Sequence, residues 1–160
     1  MAARNLDLQN LDLIDDIRAA SRLMVRELGF MEATLAATDY PPSAVHAILE
    51  IGIRGPMTSG QIAGFLHLEK SSVSRLVRKL IESGELREMS DAADARVKPL
   101  MLTTKGQRTL AALHEFGRRQ VSGALSRLSD SERDAVREGL MLYARALKAG
   151  RTHELKLQAS

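Results

Sequence analysis

At 160 residues, with 44% hydrophobic and 27% charged residues, the chain is long enough for one compact domain or two small modules sharing a core. The absence of Cys excludes disulfides, thiolate metal sites and cysteine-based redox sensing. Aromatic content of 3% with no Trp argues against a stacking platform for single-stranded nucleic acid, and a net charge of +3 says little until its distribution is considered.

From Leu11 to Ala37 the apolar residues Leu13, Ile17, Ala20, Met24, Leu28, Met31 and Leu35 recur every three or four positions. That spacing predicts one long helix of about seven turns, roughly 40 Å at 1.5 Å per residue. One small core cannot cover so long a stripe, so bundling with a second subunit is expected. Tyr40-Pro41-Pro42 ends it, because a proline disfavours helix in the residue before it. A second helix places Val45, Ile48, Leu49 and Gly52 inward and stops at Arg54-Gly55-Pro56. Thr58-Ser59-Gly60-Gln61 fits a capping box and opens a short helix carrying Ile62, Ala63, Phe65 and Leu66. A break at His67-Leu68-Glu69 leads into KSSVSRLVRKL, residues 70–80, with Glu69 at the cap, a poorer choice than Ser or Asp.

In that segment Val73, Leu76, Val77 and Leu80 fall at the i, i+3, i+4, i+7 spacing of a buried stripe. The other face collects Ser71, Ser74, Arg75, Arg78 and Lys79, hydroxyls and cations without an acid. The first twenty residues, by contrast, carry Asp7, Asp12, Asp15 and Asp16 against Arg4 and Arg18. A local basic face on a nearly balanced chain suggests a polyanion site.

Gly84 suits the left-handed position after a helix. The period then changes: Leu86 to Met89 and Val97 to Leu102 are strand-like runs around the polar tip Ser90–Arg96, which reads as a β-hairpin with a long loop. Pro99 lacks a backbone donor, so its strand is expected at an edge with that position facing solvent. Thr103 or Thr104 caps the next helix, which carries Leu110, Leu113, Val121, Leu125 and Leu128; Gly117 and Gly123 within it are read as marks of close helix approach. Ser129-Asp130-Ser131-Glu132 is a second capping box. The last helix turns Val136, Leu140, Tyr143 and Leu147 inward and fades at Gly150, leaving a loose tail.

A short capped helix, a three-residue break and a basic amphipathic helix make a helix-turn-helix, and the hairpin behind it makes it winged. With SSVSRLVRKLIESGEL at 71–86 and DARVKPLMLTTKG at 94–106, the chain resembles the MarR family of bacterial transcriptional regulators over roughly residues 11 to 148. The carrying features are the Asp-x-Arg wing tip and the Leu-Thr-x-x-Gly entry into a helix. The resemblance implies a mainly α fold with a small β-hairpin wing. A helical dimerisation domain is expected from 11–39 and 104–149, a winged helix-turn-helix domain from 40–103, and a flexible tail from 150–160. It also implies a homodimer that represses transcription from a palindromic double-stranded operator and releases it on binding a small phenolic or other aromatic effector. Pro42 and Val45 stand where many members have Thr and Gln, and Pro99 is unusual in the returning strand of the wing.

On that reading the DNA-contacting candidates are Ser59, Gln61, Lys70, Ser71, Ser72, Ser74, Arg75, Arg78, Lys79, Arg87, Asp94, Arg96 and Lys98. Arg75, Arg78 and Lys79 face the major groove, and Arg96 enters a minor groove while Asp94 orients it. Gln61 is open to two readings, a phosphate contact or only the closing of its capping box. The serines suit phosphate or base-edge bonds, although one or two serve equally to satisfy the helix start. Arg87 and Lys98 are read either as phosphate partners or as charges that keep the hairpin soluble. Arg22, Met24 and His46 are the candidates for an effector pocket, a packed or surface role being the alternative. The histidines at 46, 67, 114 and 153 have no metal-ligand spacing, and no phosphate-binding glycine loop or nucleophile elbow is present, so neither metal, cofactor nor catalysis is expected. The start, MAARNLDLQNLDLIDD, is unlike a secretory signal and no run reaches membrane-span length, so a cytoplasmic protein is expected. The competing function is a winged-helix interaction module that turns the same basic face to RNA or protein.

Overall fold

The computed structural model describes residues 11–89 and 98–158, with side chains described through Arg151. Among them are six helices and one two-stranded antiparallel sheet, the mainly α fold with a small hairpin expected from the sequence. The residues divide into two compact units between Phe116 and Gly117, a boundary that falls inside the fifth helix.

In the first unit, α1 spans Leu11–Glu27, not Leu11 to Ala37. Gly29 stops it: at φ 81° it takes the left-handed position that glycine adopts without a Cβ penalty. Phe30 N–H then bonds back to the Val25 carbonyl and Gly29 N–H to that of Arg26, a Schellman closure. The apolar spacing continues past the helix because Leu35 and Ala36, in the connecting segment, pack against the core. At Leu35 the periodicity reports burial, not helix, whereas Met31 is exposed.

Helix α2 (Pro42–Arg54) begins on Pro42, whose fixed φ and missing N–H suit a first helical turn. It buries Ala44, Val45, Ala47, Ile48 and Ile51. Gly52 lies against Leu110, where a Cβ has no room. Gly55 (φ 86°) and Pro56 turn the chain so that Met57 lies extended beside Leu100, each donating its N–H to the other's carbonyl at 3.0 and 2.8 Å.

Helix α3 (Ser59–Leu66) opens on the capping box expected: Thr58 N–H donates to Gln61 Oε1 at 2.8 Å, and Gln61 N–H to Thr58 Oγ1 at 3.2 Å. His67, left-handed at φ 53°, makes the break, and α4 (Lys70–Glu82) follows, its cap Glu69 making no side-chain bond. Val73, Val77 and Leu80 of α4 are buried against Ile48, Ile62 and Leu86 in one core. Each such side chain contributes about 1.5–3 kcal/mol by leaving water. Gly84 (φ 75°) closes α4, with Glu85 N–H on the Leu80 carbonyl and Gly84 N–H on that of Ile81.

Strands β1 (Leu86–Glu88) and β2 (Leu100–Leu102) pair Leu86 with Leu102, Arg87 with Met101 and Glu88 with Leu100. They are shorter than the runs expected. Pro99 precedes β2, half-buried, its carbonyl accepting from Met89 N–H at 2.7 Å. Thr103 caps α5 (Thr104–Leu125), accepting from Gly106 N–H at 3.1 Å.

The second unit holds the end of α5 and α6 (Asp130–Gln158). Its capping box is as expected, with Ser129 N–H on Glu132 Oε2 at 2.8 Å and Glu132 N–H on Ser129 Oγ at 3.4 Å. The Ser129 N–H and the Ser129 hydroxyl, which also donates to Glu132 Oε2 at 2.8 Å, hold the Glu132 carboxyl below the usual glutamate range. Helix α6 runs past Gly150 to Gln158, where a loose tail was expected, because one glycine costs about 1 kcal/mol and the Arg, Glu, Leu, Lys and Gln that follow favour helix. Among the described residues, no atom beyond their own helix's backbone lies within 4 Å of the Cβ positions of Gly117 and Gly123, so none of those residues makes a close approach there. Val136, Leu140, Tyr143 and Leu147, expected to turn inward, are all at least 40% exposed.

Candidate nucleic-acid interface

Two helices, set by the same core, position the candidate site. The apolar stripe of α4 is anchored by Val73, Val77 and Leu80, so its opposite face must point outward: Lys70, Ser71, Ser74, Arg75, Arg78 and Lys79 are exposed and Ser72 half-exposed. No ion pair among the described residues neutralises Lys70, Arg75, Arg78 or Lys79. Ser74 donates to the Lys70 carbonyl at 2.9 Å, keeping its oxygen lone pairs outward, and Arg75 reaches Ser72 Oγ only at 3.5 Å. The result is a row of cations with side-chain donors uncommitted to acids, the chemistry that phosphates and guanine edges accept.

Beside it, the start of α3 presents backbone donors. Gln61 closes the capping box with its amide N–H and its side-chain Oε1. The amides of Ser59 and Gly60 have no partner among the described residues, and Ser59 is half-buried. Arg54, at the end of α2, lies over the Phe65 ring at 5.7 Å while pairing with Glu50.

Of the hairpin candidates, Arg87 and Lys98 lie among the described residues. Arg87 is exposed on β1. Lys98 is engaged in a cross-hairpin pair with Glu88 Oε2 at 3.0 Å, so it serves the hairpin first. Asp94 and Arg96 lie outside the described residues.

The effector candidates lie on two helices. His46, half-buried on α2, stacks on Phe30 with ring centroids 5.6 Å apart, while Arg22 and Met24 are exposed on α1. Among the described residues no cluster of His, Asp or Glu is arranged to hold a metal, and no helix is long and apolar enough to cross a membrane.

Sequence reasoning missed one polar junction at the end of α4. Glu85 is 1% exposed, receives the Tyr40 hydroxyl on Oε1 at 2.8 Å, and faces Lys105 Nζ at 3.4 Å. A lone Glu between Gly84 and Leu86 carries no signal of burial, since glutamate is almost never buried unless paired.

Residues 38–97 match the model of the MarR family. The uncharacterized HTH-type transcriptional regulator YfiV of Bacillus subtilis is 29% identical over 94 residues, a match that spans 59% of either chain. FabT of Streptococcus pneumoniae, whose crystal structure is in complex with DNA, superposes with a TM-score of 0.73 at 21% identity, covering 85% of this chain and 97% of that one. MepR, a transcription regulator of the Staphylococcus aureus multidrug efflux pump MepA, does so with a TM-score of 0.66 at 22% identity, covering 82% and 95%. At these identities the structures establish the fold, and the family model establishes the segment that contains α2, α3, α4 and β1. Residues 38–97 therefore belong to the MarR family, and the chain around them has that family's winged helix-turn-helix fold.

Proposed function

We propose that this chain is a dimeric, sequence-specific DNA-binding transcriptional regulator, a repressor released by a small aromatic effector. The observation that carries the proposal is the face of α4: Lys70, Arg75, Arg78 and Lys79 exposed, unpaired with any described acid, and held outward by the buried stripe behind them. A helix of this kind enters the major groove, where arginine reads guanine bidentately. The free amides of Ser59 and Gly60 suit a backbone phosphate. The DNA complex of FabT, a protein of the same fold, supports this reading.

Dimerisation is supported by apolar side chains that the chain leaves exposed. On α1, which buries no residue, these include Leu13, Ile17, Leu23 and Met24; on α6 they include Val136, Leu140, Met141, Leu142, Tyr143 and Leu147. Contiguous exposed apolar faces mark association sites. The stacked pair of His46 and Phe30 offers an aromatic effector a ring to extend.

The test is selection of a binding sequence from a random duplex pool by the full chain, with its mass measured by sedimentation. The expected outcome is an inverted repeat with half-sites about 10 base pairs apart or a multiple of it, bound by a dimer. Equal competition by RNA of the same sequence would favour the interaction-module reading, and a monomer at binding concentrations would overturn the dimer.

A further inference from the structure

We propose that Glu85 is a positioning residue for DNA recognition, fixing the angle at which α4 is presented; the inference rests on the DNA-binding reading above. Glu85 follows the left-handed Gly84 that ends α4, and its backbone is held from two sides. Its N–H donates to Leu80 in the last turns of α4, and its carbonyl accepts from Thr103 N–H at 3.0 Å at the entry to α5. Its side chain reaches two further elements. Oε1 accepts from Tyr40, in the segment before α2, and faces Lys105 on the first turn of α5, whose Nζ also donates to the Ser83 carbonyl at 2.6 Å. The end of α4, the entry to α5 and the segment before α2 thus meet at one residue, the last two of them at its carboxylate.

The carboxylate is poorly chosen for stability alone. Oε2 is buried without a hydrogen-bond partner among the described residues. A desolvated charge with half its acceptor capacity unfilled adds little or nothing over an apolar side chain of similar volume. What it adds is direction. Tyr40 and Lys105 together accept one placement of Oε1, and a rotation of α4 about its axis, or a slide along it, breaks one of the two contacts. Arg78 lies four residues before the end of α4 at Glu82, about 6 Å along the helix, so an error in the angle at which that end is held is carried to the side chains that face the groove.

The experiment uses the full chain, a duplex enriched from a random pool and a scrambled duplex of equal length. Wild type, Glu85→Leu, Glu85→Gln and Tyr40→Phe are compared in both binding and urea unfolding. Expected for Glu85→Leu is an unfolding midpoint at or above that of wild type, with preference for the enriched duplex reduced about tenfold, equivalent to losing one modest bidentate base contact. Glu85→Gln, which keeps an acceptor for Tyr40, restores part of that preference. Tyr40→Phe lowers it in the same direction and adds nothing to Glu85→Leu. Preference unchanged in Glu85→Leu and Tyr40→Phe would overturn the inference, as would preference and stability falling together, the pattern of a merely structural residue. Should Glu85→Leu fail to fold, Tyr40→Phe decides alone by its preference for the enriched duplex, since removing the bond to a buried carboxylate lowers stability in either case. A wild-type chain that enriches no duplex would overturn the DNA-binding reading itself, and the role of Glu85 with it.

Discussion

Two glycine-to-alanine substitutions in the first unit should change stability in opposite directions. Gly106 lies in the first turn of α5, where a Cβ would stand less than 3.0 Å from the Glu85 carbonyl oxygen and 3.1 Å from Leu102 Cδ2. Carbon–oxygen contacts of this kind settle at about 3.3–3.6 Å, so the start of α5 must move from the end of α4 by more than about 0.3 Å. Overpacking of that sort costs about 1–3 kcal/mol. The movement also stretches the bond from Thr103 N–H to the Glu85 carbonyl and the cap bond from Gly106 N–H to Thr103, each worth about 0.5–1.5 kcal/mol when intact. Better helix propensity returns at most about 1 kcal/mol, less in a first turn. The net expectation for Gly106→Ala is a loss of about 2 kcal/mol. Gly64, inside α3, has no atom of another described residue outside its own helix backbone within 4 Å of its Cβ position, so Gly64→Ala should add about 0.5–1 kcal/mol. Urea unfolding at one fixed protein concentration reads both, with a slope of about 2 kcal/mol per molar placing the Gly106→Ala midpoint about 1 M lower. A Gly106→Ala midpoint that rose with that of Gly64→Ala would refute the close approach of α5 to Glu85.

The Thr58→Ala change removes the acceptor for Gln61 N–H and should cost about 1 kcal/mol, read by the same unfolding assay, with Thr58→Ser restoring most of it. At the start of α6, Glu132 is held below the usual glutamate range by its bonds to Ser129, so the cap contributes fully above the unfolded value of about 4.3 and is lost as pH falls through the lower folded one. Protection of the Ser129 and Glu132 amides against exchange, taken relative to the unstructured rate at each pH, should therefore fall in that acid window, and Glu132→Gln should remove that pH dependence. Replacing Leu140 and Leu147 by Lys should convert the proposed dimer to monomer in sedimentation and weaken duplex binding, because both side chains are exposed on α6.

How far the sequence led differs by kind of signal. The two capping boxes, the stop at Gly84 and the stripe Val73–Leu80 were legible because each is local: the residues that act on one another lie within a few positions. The exposed cationic face of α4 follows from that stripe, so the core of the candidate site was legible too. The end of α1 was hidden by Leu35 and Ala36, which keep an apolar spacing while packing on the core from a loop. Gly29 carried the stop signal and was outweighed by that spacing. The pairing of Met57 with Leu100 and the contacts of Glu85 with Tyr40 and Lys105 join residues far apart in the chain, one at a time, and leave no periodic trace. The engagement of Lys98 by Glu88 likewise depends on the hairpin register, which composition does not determine.

The most direct test of the central claim is a salt titration of Arg75→Ala, Arg78→Ala and Arg96→Ala on an enriched duplex and on a scrambled one. The expected result is that each α4 substitution lowers affinity for the enriched duplex by about 1–3 kcal/mol more than for the scrambled one. Arg96→Ala should weaken both evenly and reduce the salt dependence by about one counterion per subunit if it neutralises one phosphate. Loss of sequence preference in Arg96→Ala alone, with both α4 variants retaining it, would contradict the claim that α4 reads the DNA.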